Sequence, residues 1–165
     1  ERIYLLNPGQ RLRVGDRELQ ALEPLTFDAP ETTPFVDSKT GALFSSDCFG
    51  GIVSTPAERA AELSDAALRY GVVTWTTVDS PWLAHIEATA FEASLRRIRE
   101  LDAPIVLSSH LPPATGMLDV LLGHVAAARS QPSFVGPDQT ALTALLASLG
   151  AQPEPAVALE SPAHG

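Results

Sequence analysis

Two segments each run an apolar, strand-like stretch into a residue able to bind a metal. Phe44-Ser45-Ser46-Asp47-Cys48-Phe49-Gly50 places Asp47 just past a strand, and Ile105-Val106-Leu107-Ser108-Ser109-His110 does the same for His110. A carboxylate and an imidazole at the mouths of two strands suit a first-row divalent or trivalent cation, and a carboxylate can bridge two of them. The histidines are His85, His110, His124 and His164, widely separated in sequence, and Cys48 is the only cysteine. Structural zinc sites of four cysteines, or of paired cysteines and histidines, are therefore excluded within this chain. Any metal has to recruit ligands from elsewhere.

Other chemistries fit less well. Ser108-Ser109-His110 lacks the strand-turn-helix elbow of a nucleophilic serine and sets Ser and His side by side. Gly50-Gly51 is followed by no Lys-Ser or Lys-Thr, so it is not a phosphate loop. Asp47 also reads as a turn aspartate that accepts backbone N–H bonds, and His110 as a strand cap or a donor to a backbone carbonyl, while Pro112-Pro113 just beyond it would stiffen the loop and support a fixed ligand. His85 and Glu87, two apart on an expected helix, fall on different faces. His124 reads as a helix-packing residue, Cys48 as a small buried hydrophobe, and Trp75 and Trp82 as buried apolar surface.

The elements that must hold these residues are set by pattern. Arg11–Val14 and residues 17–23 alternate about Gly15-Asp16, as a hairpin does. A second pair of strands is expected at residues 33–36 and 42–46, joined by Asp37-Ser38-Lys39-Thr40-Gly41. Thr55-Pro56 opens an Ala-rich run that Gly71 would end as a helix. Ser80-Pro81-Trp82 repeats the start signal before a long amphipathic helix whose apolar face runs from Leu83 through Phe91 and Ile98 to Leu101. Ile105-Val106-Leu107 reads as a strand buried on both faces. Helices are expected near residues 116–129 and 138–149, the last capped by Gly150. This order predicts a layered α/β (α+β) fold, with residues 1–150 as one domain and 151–165 as a Pro/Ala-rich tail.

Composition narrows the classes of partner. At 165 residues and 45% hydrophobic, the chain is large enough for one core around a sheet. A formal charge of −9, with Lys39 the single lysine, argues against a nucleic-acid surface. No apolar stretch approaches the roughly 20 residues of a membrane helix. The lone cysteine and the absence of a leader pattern lead to an expectation of a cytoplasmic chain. The start at Glu1-Arg2-Ile3, with no Met, reads as a boundary inside a larger protein.

The Asp47 and His110 segments, in this order, resemble the second half of the metallo-β-lactamase superfamily, whose αββα sandwich carries a di-metal site along one sheet edge. The phrase around Asp47 is most similar to the flavodiiron and oxygen-binding diiron branch. The resemblance spans roughly residues 11–113. It implies that Asp47 bridges two metals and that His110 completes one of them. It also aligns Pro30 with a proline that follows a family histidine, which puts Asp28 at a ligand position. The family's His-rich first-half motif is absent from these residues, and no flavin site is visible.

By function, the resemblance implies a di-metal protein binding or reducing O2 or NO at a non-haem di-iron site. The intact protein would hold two metal ions, Fe or Zn, and would include an N-terminal half that these residues lack. An exposed sheet face would make the chain associate with that half or form a homo-oligomer. Two alternatives stay open. One is a zinc hydrolase that cleaves esters, thioesters or amides with metal-activated water. The other is a non-enzymatic sensor or interaction module with a degenerate site.

Overall fold

A computed structural model describes residues 4–150, which contain a six-stranded mixed sheet and four α-helices. The strands, in chain and sheet order, are β1 (Arg11–Val14), β2 (Arg17–Ala21), β3 (Phe35–Asp37), β4 (Leu43–Ser46), β5 (Ile105–Ser108) and β6 (Leu111–Thr115). All neighbours are antiparallel except β4 and β5, which run parallel. A parallel pair needs a long crossover. Here that crossover holds α1 (Asp65–Asp79) and α2 (Ala88–Arg99). After β6 comes α3 (Leu118–Ala128). These elements form one compact unit ending at Phe134. A second unit starts at Val135 and contains α4 (Gln139–Ser148), N-capped by the Asp138 carboxylate. The expected tail lies outside the described residues.

The sheet is covered on one face. In β4, Leu43 and Ser45 are buried while Phe44 between them is 42% exposed. Leu43, Val106 and Ala114 join Val72 of α1, Phe91 of α2 and Leu121 of α3 in a single core. The opposite face carries Phe35 directly across from Phe44, and Phe44 across from Leu107. Together with Thr33 and Ser108 they line an open concavity.

The structure departs from sequence expectation at four places. Gly71 does not end a helix: Ser64 caps α1, accepting from the Ala67 amide, and the helix runs through Gly71 to Asp79. Pro56 opens no helix, because the chain there makes a 3-10 turn at Ala60–Glu62. The long helix predicted from Ser80 breaks into a 3-10 segment, Pro81–His85, and α2, which the Glu87 carboxylate caps by accepting from the Thr89 and Ala90 amides. Pro112-Pro113 is strand rather than loop. β6 is an edge strand with an irregular register, where a missing N–H is tolerated.

Asp37 ties the central hairpins together. Its buried carboxylate accepts from Thr40 Oγ1 at 2.7 Å and from the Lys39 amide at 3.0 Å, and it pairs with Arg17. Those hydrogen bonds, with the Arg17 charge adding less, hold its pKa below the ordinary carboxylate value. Such a group adds stability above its unfolded pKa, which is lost as pH falls through the folded one. Asp37→Asn is therefore expected to lose less stability than the wild type between about pH 7 and about pH 3. Urea denaturation across that range checks this, and parallel profiles would refute it.

Candidate metal centre

The parallel pairing of β4 and β5 decides where Asp47 and His110 lie. Ser46 is in register with Ser108, and the Ser109 amide donates to the Ser46 carbonyl at 2.9 Å. The carboxyl ends of both strands thus open at one edge of the sheet, where open α/β sheets generally place ligands. His110 Nε2 lies 3.0 Å from Asp47 Oδ1. The Asp47 side chain is 26% exposed and that of His110 44%, so one side of the pair is open to solvent.

Asp47 sits in a strained turn. Ser46 and Phe49, neither of them glycine, adopt left-handed backbone at φ 54° and 62°. Each costs on the order of 1–3 kcal/mol and has to be held by its surroundings. The anchors are buried: Cys48 and Phe49 insert into the core, and Ser45 Oγ donates to the Cys48 carbonyl at 2.8 Å. Burial pushes the Cys48 thiol up to about 12, so it stays a protonated core group.

Helix α1 closes the other side. Trp75 Nε1 donates to the Asp47 carbonyl at 2.9 Å, and its indole packs on the His110 ring with centroids 4.2 Å apart. A Cβ at residue 50 would fall 2.4 Å from Trp75 Nε1, so Gly50 is what lets the indole reach the turn. Trp75 is thus a positioning residue for the Asp47 turn and the His110 ring as well as apolar filler.

Two more carboxylates arrive from separate elements. Asp28 lies in the loop between β2 and β3, and Asp79 is the last residue of α1. The loop is clamped where α1 ends: the Phe27 carbonyl accepts from Ser80 Oγ at 3.2 Å and from Trp82 Nε1 at 2.9 Å, and the Phe27 and Trp82 rings pack at 5.1 Å. Carboxylate oxygens of Asp28, Asp47 and Asp79 lie within 4.8 Å of one another. Partial burial raises the Asp79 pKa, and the charges of Asp28 and Asp47 add to this, while the Ser80 hydroxyl hydrogen bond opposes it.

The structure therefore brings together all three sequence candidates, Asp28, Asp47 and His110, and adds Asp79. Asp79 escapes sequence reading because Gly71 looks like a helix stop. With α1 continued, Asp79 falls four residues after Trp75 and on the same helix face, which is the signal that locates it. His124 lies in α3 and is partly buried, His85 ends the 3-10 segment, and neither belongs to the cluster.

No protein-family model matches this sequence, and no curated protein does. Among solved structures the chain is similar to the flavodiiron protein from Giardia intestinalis, with TM-score 0.58 and 20% identity over 76% of this chain and 30% of that one. It is similar to rubredoxin oxygen:oxidoreductase from the anaerobe Desulfovibrio gigas, with TM-score 0.63 and 12% identity over 78% and 32%. A third is the chemotaxis sensor ODP in a peroxy diiron species, with TM-score 0.57 and 11% identity over 72% and 49%. The chain thus has the fold of half of a metallo-β-lactamase-like domain, and it spans well under two thirds of each of these chains.

Proposed function

We propose that this chain supplies second-half ligands to a di-metal centre of flavodiiron type, in a protein that binds or reduces dioxygen or nitric oxide. The observation that carries this reading is the convergence of Asp28, Asp47, Asp79 and His110 from four separate segments at one sheet edge. No Lys or Arg among the described residues pairs with these carboxylates. Three carboxylates this close offer a cation several oxygen donors, and oxygen donors with one imidazole suit iron or manganese better than thiolate-seeking ions. Iron bound there would supply a change of valence and a position for a diatomic ligand.

The chain's own residues do the positioning. Asp47 offers two oxygens on a turn that cannot relax, and its rigidity favours a fixed ligand geometry. Trp75 holds the His110 ring and shields one face, leaving the exposed side for a small molecule to approach. Anaerobic loading with Fe2+, followed by nitric oxide, tests the reading. Bound iron whose optical and paramagnetic spectra change on nitric oxide addition is the expected result. In the intact protein, no uptake of iron, or bound iron that does not respond to nitric oxide, would exclude this function.

The same reading names a partner. The apolar face bearing Phe35, Phe44 and Leu107 is proposed to be covered by the remaining half of the domain, since this chain covers only 30% and 49% of the flavodiiron protein and the sensor. Without that half, the face is proposed to pair with a second copy of the chain. A monomer in sedimentation velocity at micromolar concentration would count against both forms of association.

A further inference from the structure

Resting on the metal-centre reading, we infer that Asp79 is itself a ligand of the centre, so that the C-terminal end of α1 contributes a donor alongside the two strand ends. Its placement is built. Trp75, one turn earlier on the same face, is fixed against both Asp47 and His110, so the helix register directs residue 79 at the same spot. Ser80 and Trp82 both bind the Phe27 carbonyl, which locks the end of α1 to the segment carrying Asp28. Ser80 Oγ lies 3.0 Å from Asp79 Oδ2 and 3.2 Å from the Phe27 carbonyl, and its single proton serves one of them at a time, which leaves Asp79 oxygen lone pairs free for the cluster.

The position is also electrostatically wrong for an aspartate without a cation. It is the last helical residue, where the helix dipole disfavours negative charge, and it faces two further carboxylates. A cation bound among the three carboxylates reverses both penalties. His110 sets this apart from a plain acidic surface cluster: its Nε2 lies at hydrogen-bond distance from Asp47, on the same edge and under the same indole. The three carboxylates form an oxygen-rich donor set, which His110 adjoins through Asp47. That set selects hard divalent ions such as Mn2+ and Fe2+.

Titration of the metal-free protein with Mn2+, following the free ion by its paramagnetic resonance, tests the assignment. Asp79→Asn, nearly isosteric, is expected to weaken binding by at least about tenfold, while Asp79→Glu, which keeps a carboxylate, retains most of the affinity. Thermal melts of the metal-free variants serve as the control for folding. If Asp79→Asn binds Mn2+ as the wild type does while Asp47→Asn does not, the centre stands and the role of Asp79 falls. If the wild type itself takes up no Mn2+, both the centre and this assignment fall.

Discussion

Replacing Asp47 with Asn is expected to remove metal binding, weakening it by more than the ~10–100-fold that loss of an outer-shell partner typically costs. Asp47 is the hub of the cluster. Its Oδ1 faces His110 Nε2, its other carboxylate contacts are Asp28 and Asp79, and its carbonyl accepts from Trp75. An amide in its place keeps the shape and the turn but loses the charge, and it offers a single weak oxygen donor. The turn itself depends on backbone bonds and on buried Cys48 and Phe49, none of which the substitution touches. Stability should therefore change by no more than about 1 kcal/mol. Metal content of the purified variant, read beside its melting curve, checks both halves of this expectation. Full metal content at wild-type stability would remove Asp47 from the ligand set.

Gly71→Ala and Gly123→Ala are expected to act with opposite signs, although both glycines lie inside α-helices. In an open helix Ala is favoured over Gly by about 1 kcal/mol. Nothing lies within 4 Å of a Cβ added at Gly123 in α3, so that substitution should stabilise. At Gly71 the same Cβ would meet the Ile52 carbonyl oxygen at 2.5 Å, and the obstacle is backbone. The Ile52 amide also donates to the Gly71 carbonyl at 3.2 Å, so the segment after Gly50-Gly51 and the helix are joined at this point. Overpacking of this kind typically costs ~1–3 kcal/mol, enough to outweigh the helical gain. The displacement would also lift Trp75 and Asp79 from Asp47 and His110, so metal affinity should fall along with stability. Urea denaturation and Mn2+ titration of the two variants check this. Stabilisation by both substitutions would mean that α1 does not approach the turn closely.

Some of this molecule is written locally. The hairpin at residues 11–21 is legible because alternation and a turn glycine act between neighbours, and Gly15 does take the left-handed conformation that the turn needs. Asp47 and His110 stand out for the same reason, since each ends an apolar run. What the sequence cannot display is that the two runs lie side by side and parallel. Their pairing spans about sixty residues and depends on α1 and α2 burying their faces against the sheet. Nor can a local reading find β6, because Pro112-Pro113 denies a strand everywhere except at an edge, and being at the edge is a property of the assembled sheet.

Asp79 shows the division most sharply. Propensity makes Gly71 a stop and Ser80-Pro81 a new start, and each preference is worth about 1 kcal/mol or less. Close packing of α1 on Ile52 needs a residue without a side chain there, so tertiary contact turns the apparent stop into an interior helix position. The residue types therefore determined that two potential metal ligands, Asp47 and His110, each end an apolar run. Packing of one helix decided that a third carboxylate and an indole lie beside them, because burial of an entire helix face outweighs the local preference of a single glycine.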